Sequence, residues 1–409
     1  MAACSSLSLF SGAGGLDLGL EAAGFAVTGC IEVDDDCRAT LQRNRPKWIL
    51  AKRGNIFDVD PREFLAQVGF RARELDLLSG GPPCQPFSKS AYWVSGTTAR
   101  LADPRAASLD AYLHFVAAAI PRVFLMENVR GLVHDDDVLQ LFERKLGALN
   151  RRCRTNYSVQ VLHVNAADYG VPQARERVFL IAHRDGRQLH MPNIASAVAA
   201  DTSRTAWDAI ADYDVQSWDD ELSPTGKWAE LLPSIPEGRN YLWHTVRSGG
   251  KPLFGWRTKY WSFLLKLAKN QPSWTIQAVP GPATGPFHWR SRLLSITELA
   301  ALQTFPRDYQ FMGNRRSQWK QIGNAVPSAI GEMLGLEIRR QLFGQRVRTG
   351  LRLIPSRRND CPPPELVQAV ARKYLFMFNR YAAHPGEGLG PRAKMRNSVL
   401  ASQSLDRRG

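Results

Sequence analysis

The sequence contains no apolar run that approaches the length of a membrane span, and it contains no internal repeat. Its six cysteines, at positions 4, 30, 37, 84, 153 and 361, show neither paired spacing nor metal-ligand spacing. These absences argue against a membrane protein, a repeat architecture, a disulfide-stabilised scaffold and a structural zinc site. The sequence also starts without a charged-then-apolar signal pattern. We therefore expect a cytoplasmic protein with free thiols and no bound metal.

Acidic residues are scarce relative to basic ones. The 409 residues include 38 Asp and Glu against 53 Lys and Arg, which gives a formal net charge of +15. This excess of basic residues favours a polyanionic partner, and nucleic acid more than a membrane surface. The alternative is a surface charge that serves only solubility. The apolar fraction of 44% suffices for a sizeable core in one large or two ordinary domains.

The first segment alternates apolar runs with a glycine-rich turn. Residues 5–10 predict a strand, residues 11–15 form the turn Ser-Gly-Ala-Gly-Gly, and residues 16–23 predict a helix. Strand, glycine turn and helix begin a nucleotide-binding βαβ unit, but the full dinucleotide fingerprint is missing, which argues against a nicotinamide oxidoreductase. A second strand over 26–33 ends in Glu32, whose carboxylate suits a ribose diol. A solvated loop carboxylate is the alternative.

A cysteine follows the next buried strand on a stiff turn. The apolar run 75–78 is followed by Ser-Gly-Gly-Pro-Pro-Cys-Gln-Pro-Phe-Ser, which places Cys84 where open α/β sheets bind ligands. A buried free cysteine beside a turn is the alternative. The glycines and prolines favour a thiol that is aimed at a substrate. Residues 89–101, polar and aromatic, look like a loop that closes over one.

Two further motifs follow buried strands. Residues 123–126 predict a strand that ends in Glu127 and Asn128, at the same sheet edge as Cys84. Gln173, Arg175 and Arg177 alternate before another strand, so they share one face if this segment is extended. Two arginines on one face need anions or carboxylates, and a surface row of salt bridges is the alternative.

These motifs, in this order, resemble the DNA (cytosine-5) methyltransferases of the bacterial restriction-modification type. The resemblance covers about residues 5–342 and rests on Phe-Ser-Gly-Ala-Gly-Gly, Pro-Pro-Cys-Gln, Glu-Asn-Val, Gln-Ala-Arg-Glu-Arg and Gln-Ile-Gly-Asn-Ala-Val-Pro. It implies an α/β fold, a Rossmann-like S-adenosylmethionine-dependent methyltransferase sheet with a second, smaller target-recognition domain. It also implies a monomer that methylates double-stranded DNA and pairs with a restriction endonuclease.

The resemblance assigns a role to each candidate residue. The catalytic set is Cys84 as nucleophile, Glu127 as proton donor, Asn128 to fix Glu127, and Arg175 beside the base. The S-adenosylmethionine set is Phe10, Gly12, Gly14, Gly15, Glu32, Val33, Asn55, Ile56, Pro83, Leu109, Asn324 and Ala325. The DNA-binding set is Gln85, Ser88, Gln173 and Arg177. Two positions depart from the family pattern. Asn55 stands where the family has an adenine-binding aspartate, with Asp58 as second candidate, and Leu109 lies four residues after Arg105 rather than three.

The resemblance also divides the chain. Residues 1–182 form the catalytic and cofactor-binding domain, 183–291 the target-recognition domain, and 292–342 a segment that returns to complete the first domain. Eight of the eleven tryptophans fall in the second interval, where most of them are expected to pack in a core. Within the return segment we predict a helix over 292–305, starting at Thr297, and another from 321 to about 340.

The basic C-terminal extension, residues 343–409, lies outside the resemblance. A clamp on the DNA backbone and a solvated, partly disordered tail are equally compatible with its composition, and one amphipathic helix is possible over 365–381. Two other functions stay open from sequence alone. One is an RNA (tRNA) cytosine-5 methyltransferase of the same fold, and the other is a catalytically silent DNA-binding relative.

Overall fold

The computed structural model of the protein describes residues 4–83, 107–134, 136–191, 203–255, 257 and 259–380. These residues form two compact units. The larger unit comprises 1–223, 267–281 and 293–363, and the smaller one 224–266, 282–292 and 364–409. The domain boundaries derived from the sequence stay a prediction. No helix among the described residues is both long and apolar enough to cross a membrane.

The larger unit is built on a seven-stranded sheet. The spatial order is β3-β2-β1-β4-β5-β8-β6, and β8 alone among these strands runs antiparallel to its neighbours. The mostly parallel sheet confirms the predicted fold class. The strands are β1 Cys4–Leu9, β2 Phe25–Ile31, β3 Ile49–Leu50, β4 Leu77–Gly80, β5 Val123–Asn128, β6 Gln160–Asn165, β7 Gln173–Ala174, β8 Glu176–His183 and β9 Ser273–Trp274, of which β7 and β9 form a separate pair.

Helices cover both faces of this sheet. Alternate strand residues belong to two separate apolar clusters, because successive side chains of a strand point to opposite faces. Helices α3, α4 and α5 contribute to one cluster, and α1 and α9 to the other. The helices are α1 Gly15–Ala22, α2 Asp35–Asn44, α3 Pro61–Gln67, α4 Ala107–Ala119, α5 Asp136–Cys153, α6 Ala206–Ile210, α7 Ile296–Leu302, α8 Arg315–Asn324 and α9 Ser328–Glu337.

The order of the strands reverses between β1 and β4, which creates a crevice at their carboxyl ends. Leu9 of β1 is in register with Gly80 of β4, and Gly80 with Met126 of β5. The residues that follow this row therefore meet at one edge of the sheet. They belong to the glycine turn, the cysteine loop and the Glu-Asn-Val motif, as the sequence predicts.

Four predictions of secondary structure were wrong. The sequence of residues 54–58 predicts the end of a third short strand, but β3 ends at Leu50. Residues 56–58 form a 3-10 turn instead, because the Asn55 side chain accepts from the Phe57 N–H and caps it. Ser295, not Thr297, begins α7, through a reciprocal capping box with Glu298.

The other two concern the ends of the return segment and the extension. The single helix expected over 321–340 is two, α8 and α9, separated just before Pro327, whose ring disfavours helical geometry at the preceding residue. Between 365 and 380 the structure has one 3-10 helix, Arg372–Met377, instead of a long amphipathic helix. The backbone there bonds elsewhere, since the Gln368 N–H donates to the Pro233 carbonyl.

The smaller unit has few regular elements and is held by aromatic packing. Trp228 stacks on Tyr374, with ring centroids 5.9 Å apart, and also contacts Phe254 and Phe263 at 5.5 and 5.7 Å. Tyr241 closes the cluster by edge contacts with the two phenylalanines. The tryptophan-rich interval thus supplies a core here, and part of the extension completes it.

The extension also folds back within the larger unit. Glu332 of α9 has no exposed surface, and its carboxylate accepts from the backbone N–H groups of Arg352 (2.8 and 3.0 Å) and Leu353 (2.9 Å) and from the Arg348 guanidinium. The Arg358 guanidinium forms ion pairs with the carboxylates of Asp212 and Asp360. These two arginines are therefore paired with carboxylates, unlike the side chains of a solvated tail. Residues 381–409 lie outside the described part.

Glu332→Ala is expected to lower the free energy of unfolding by about 1–3 kcal/mol, because it leaves the backbone N–H groups of Arg352 and Leu353 without their acceptor and removes the carboxylate partner of Arg348. Urea denaturation followed by circular dichroism would measure this loss. Asp110→Asn is the matched control, since Asp110 pairs with Lys145 where both side chains are 40% exposed or more. That control should cost less than about 1 kcal/mol. Equal losses for the two variants would contradict a buried anchor.

Candidate functional site

A cleft of about 1950 Å³ lies at the carboxyl ends of β1, β2, β4 and β5. The glycine turn forms one wall. Gly12 and Gly14 have φ angles of +54° and +79°, in the left-handed region that favours glycine. Gly15 has another reason to be glycine, because a Cβ there would lie 2.4 Å from the Val326 carbonyl oxygen. At Gly12 the backbone of this wall can therefore lie close to a ligand, because no side chain stands between them.

Glu32 ties the glycine turn to the end of β2. Its Oε2 accepts from the Gly12 N–H at 2.6 Å and its Oε1 from the Asp34 N–H at 2.8 Å. Burial raises the pKa of the Glu32 carboxyl, and these backbone hydrogen bonds oppose the rise. Each carboxylate oxygen retains a second lone pair, so Glu32 can still accept from a diol in the cleft.

The other residues expected to bind the cofactor differ in whether their side chains are free to contact a ligand in the cleft. Val33 is 66% exposed and Ile56 is buried, and both line the cleft. Asn55 also lines it, but its side-chain oxygen already caps the following 3-10 turn, at 3.3 Å from the Phe57 nitrogen. Leu109 packs against the core and is not among the cleft residues, whereas the neighbouring Ser108 is. The assignment of Leu109 to the cofactor stays a prediction, and Ser108 is the residue of α4 that lines the cleft.

Glu127 lies on β5 at the opposite wall, paired with Arg177 of β8. The Arg177 Nε is 2.9 Å from Glu127 Oε1, and the two side chains are only 19% and 13% exposed. Burial raises the pKa of the Glu127 carboxyl, while the charges of Arg177 and Arg175 oppose the rise. The arrangement can hold a proton on a carboxyl group inside a largely dry pocket.

The cysteine loop starts against this carboxyl group. A Cβ at Gly81 would lie 3.2 Å from Glu127 Oε2, so the absence of a side chain there lets the loop pass close by. Asn128 donates from Nδ2 to the Pro82 carbonyl at 3.2 Å and accepts from the Val129 N–H. Asn128 therefore holds the start of the cysteine loop, and its expected role in fixing Glu127 stays a prediction. Cys84, Gln85 and Ser88 lie outside the described residues, as does the loop 89–101.

Arg175 and Gln173 hold the floor of the cleft through backbone carbonyls. Arg175, 2% exposed, donates to the carbonyl oxygens of Gly323 (2.9 Å) and Ile276 (3.3 Å). Gln173 has no exposed surface and joins Leu302 to Ile276 through its amide. Gln173 and Arg175 thus both bond the backbone of Ile276, whereas Arg177 pairs with Glu127. The predicted contact of Gln173 with DNA stays a prediction.

The last cofactor candidates come from the return segment. Asn324, the last residue of α8, and Ala325 line the cleft together with Pro83, Phe10, Gly12 and Gly15, whereas Gly14 is not among the cleft residues. Elements from β1 to α8 of the larger unit thus line one cavity. Within the described ranges, no group of His, Cys, Asp and Glu side chains has a metal-binding arrangement. The five described cysteines are free thiols.

Comparison with known proteins decides what kind of cleft this is. The family described as C-5 cytosine-specific DNA methylase matches residues 4–340. The chain belongs to this family. It is therefore a DNA cytosine-5 methyltransferase, as the resemblance implied.

Relatives and solved structures agree with this membership. The type II methyltransferase M.SacI of Streptomyces achromogenes is 36% identical over 82% of this chain and 93% of its own. M.Sau96I of Staphylococcus aureus is 30% identical over 80% of this chain and 73% of its own. Among structures, the Entamoeba histolytica methyltransferase EhMeth (TM-score 0.57, 15% identity, 84% of this chain and 99% of that chain) and the S. pombe Dnmt2 methyltransferase (TM-score 0.56, 16% identity, 82% and 99%) share the fold.

The structure also adds cleft residues to this methyltransferase that the sequence analysis missed. Asp17 lies in the first turn of α1, and Lys320 pairs with Asp34 at 2.8 Å. Arg130 pairs with Glu176 at 2.6 Å, and Trp274 is 40% exposed. Asp17 follows the glycine turn by two residues, but an acid in the first turn of a helix is ordinary and gave no signal. The other contacts join segments distant in sequence, which no local pattern reveals.

Proposed function

We propose that this methyltransferase transfers a methyl group from S-adenosylmethionine to carbon 5 of a flipped-out cytosine in a specific double-stranded DNA sequence, through a covalent adduct with Cys84. The observation that carries the proposal is the burial of Glu127 beside Gly81 of the cysteine loop, in the same cleft as the glycine turn. The general acid Glu127, the loop that carries the nucleophile and the glycine turn that would bind the cofactor then lie around one cavity.

The residues of the cleft fit the methyl donor. The absence of a side chain at Gly12, where a Cβ would have no neighbour within 4 Å, leaves room for a ligand, Glu32 has lone pairs for the ribose hydroxyls, and Ile56 is a buried apolar contact for adenine. When bound, the donor supplies an electrophilic methyl group. Pro83 and Asn324 would complete the pocket on the side of the cysteine loop and of the return segment.

Carbon 5 of cytosine is a poor nucleophile until a group adds to carbon 6. A thiolate is suited to this addition because it is strongly nucleophilic and later leaves readily. Addition places negative charge on ring nitrogen 3, where protonated Glu127 donates its proton. After methyl transfer, a base removes the carbon 5 proton, the carbon 5–carbon 6 double bond re-forms, and Cys84 leaves.

A base inside a duplex cannot reach such a cleft, so the target cytosine must leave the stack, at a cost of a few kcal/mol. The net charge of +15 favours the DNA backbone as partner. We further infer that the enzyme protects DNA from a paired restriction endonuclease in the cytoplasm. The support is that M.SacI and M.Sau96I are named type II methyltransferases.

One experiment tests this proposal. The protein is incubated with labelled S-adenosylmethionine and unmethylated duplex DNA of many sequence contexts, with tRNA in a parallel reaction, and 5-methylcytosine is mapped by sequencing. We expect label in one short DNA motif and none with the Cys84→Ser variant. Label in tRNA alone would identify an RNA enzyme, and no label in either nucleic acid would reject catalysis.

Arg177→Gln is expected to extend activity to higher pH. Glu127 acts protonated, so the rate falls as pH rises through the pKa of its carboxyl group. Arg177 holds that pKa down against the effect of burial, and its removal lets the pKa rise further. Single-turnover rates between pH 6 and 9 would show the alkaline limb moving upward. Arg130→Gln, which removes a partner of Glu176 instead, should leave the limb in place. A downward shift in Arg177→Gln would contradict the assignment.

A further inference from the structure

Arginine residues gather at the edge of the sheet opposite the cleft, where the parallel strands begin and the antiparallel β8 ends. Leu77 of β4 is in register with Val123 of β5, and Val123 with His183 of β8. Five segments lie at or beside this row, and together they contain nine arginines, no lysine and three acids. We call their surface the basic edge. The segments are 71–76, 120–122, 151–156, 183–187 and 342–346.

Direct contacts join these five segments into one surface. The Arg184 guanidinium donates to the Arg73 carbonyl at 3.1 Å, and the Arg73 guanidinium donates to the Cys153 carbonyl. The Arg184 N–H donates to the Arg122 carbonyl at 2.8 Å, and the Arg122 guanidinium lies 4.2 Å from the centroid of the Phe343 ring. Because a guanidinium group has five N–H donors, each of these arginines keeps donors for an anion while it is held in place.

Carboxylates do not neutralise this charge. Among the residues that the structure describes, none of the nine arginines forms an ion pair, and the ion pairs of the larger unit lie elsewhere. Two of the three acids are already engaged. Asp76 accepts from the Ser5 N–H and hydroxyl, and Glu74 accepts from the Arg71 N–H. Seven of the nine arginines are exposed, so the charge of the basic edge faces solvent.

The side chains of the basic edge fit the phosphate backbone of a nucleic acid. A guanidinium group stays charged at any physiological pH and matches the oxygens of a phosphate in geometry. None of the exposed large apolar side chains of the described residues lies in the five segments. A membrane-binding surface adds apolar side chains that insert, and a protein interface adds aromatic anchors. The composition of the edge therefore favours a polyanion that is bound through its charge.

We propose that the basic edge is a second DNA-binding surface, which holds the backbone of a duplex segment other than the one whose cytosine enters the cleft. Strand β5 runs from the edge to the cleft, and its six residues rise about 17 Å. The two sites therefore lie at opposite ends of the sheet. DNA that is held at the edge stays near the cleft, which raises the local concentration of target sites on a long molecule. This inference rests on the proposed function only for the entry of a cytosine into the cleft.

The test removes three charges of the edge together. Arg151, Arg152 and Arg154 are exposed at the end of α5, and all three are replaced by glutamine in one edge variant. The probe is a labelled duplex of A·T pairs only, which offers no cytosine to the cleft. Fluorescence anisotropy should show that the edge variant binds this duplex about 10- to 100-fold more weakly than the wild-type protein at about 0.1 M salt. The slope of log K against log salt concentration should become less steep by about 2 to 3.

The matched control removes three exposed charges from another part of the larger unit. It combines Arg43→Gln in α2, Lys47→Gln just after α2, and Arg62→Gln in α3. The net charge of the two variants is the same, so a difference between them reports position rather than total charge. The control should bind the duplex within about twofold of the wild-type affinity. Equal losses for the two variants would overturn the assignment to the basic edge.

Methylation assays separate this inference from the proposed function. On a short duplex that contains only the target site, the edge variant should be as fast as the wild-type enzyme. On kilobase DNA with the same site, its kcat/KM should fall by about 10-fold, because the second contact is lost. A wild-type protein that methylates no DNA would overturn the proposed function, and the binding comparison would still decide the role of the edge. Unchanged binding of the A·T duplex by the edge variant would overturn the inference, including the case in which only tRNA or phosphatidylglycerol vesicles are bound more weakly.

Discussion

Glu127→Gln should slow methyl transfer by about 10²- to 10⁴-fold, the usual contribution of a positioned general acid. Glutamine keeps the size of the side chain and a contact with Arg177, but it cannot give a proton to ring nitrogen 3. Burial raises the pKa of the Glu127 carboxyl, so in the native protein a protonated fraction exists at higher pH than for an exposed glutamate. Because the loss concerns the chemical step, binding of S-adenosylhomocysteine should change little.

Single-turnover methylation of a duplex that contains the target site would measure this loss. Glu176→Gln is the appropriate control, because Glu176 lines the same cleft but is 57% exposed and pairs with Arg130. The control should remain within a few-fold of the wild-type rate. A Glu127→Gln enzyme as fast as this control would show that another group protonates the base.

Gly19→Ala is expected to destabilise the protein strongly, although alanine is the better helix former by about 1 kcal/mol. Gly19 is in α1, and a Cβ there would lie 2.1 Å from the Ser328 carbonyl oxygen and 2.5 Å from the Glu332 nitrogen of α9. Both atoms belong to backbone and cannot move aside. Separating the two helices should lower the free energy of unfolding by about 1–3 kcal/mol or more.

Gly147→Ala provides the matched comparison within another helix. At Gly147 of α5 the nearest atom to a built Cβ is the end of the Arg151 side chain, 3.8 Å away. There the same substitution should stabilise the protein by about 0.5–1 kcal/mol. Urea denaturation of both variants would give opposite signs. The contact between α1 and α9 would be refuted if Gly19→Ala were stabilising as well.

Sequence patterns predicted the sheet because its strands are short apolar runs bounded by glycine, proline or acidic residues. Helix α2, Asp35–Asn44, begins directly after Asp34, a strong N-cap whose side chain accepts from two backbone N–H groups. Predictions failed where a side chain bonds its own backbone, as Asn55 does. They also failed in the extension, where contacts with distant residues such as Pro233 and Glu332 replace the local helical pattern.

For the site, the sequence located the residues but not their partners. Glu127 and Arg177 both carried a signal, yet their ion pair depends on the antiparallel register of β5 with β8. The alternation of Gln173, Arg175 and Arg177 likewise did not reveal that Gln173 is buried and bonds the backbone of Leu302 and Ile276. Asp17 was overlooked because an acid in the first turn of a helix is ordinary, and only the three-dimensional structure shows that it is buried.

The pocket wall at Gly15 is closed by Val326, more than three hundred residues later in the chain. A ribosome adding about 5–20 residues per second needs roughly 15–60 s to reach Val326 after Gly15 has been made. During that time the nascent chain has a glycine turn but no finished cavity, because the segment that closes it has not been synthesised. Newly made enzyme therefore gains the capacity to mark DNA only after Val326 has been added, and a chain that terminates before this residue has no complete cavity.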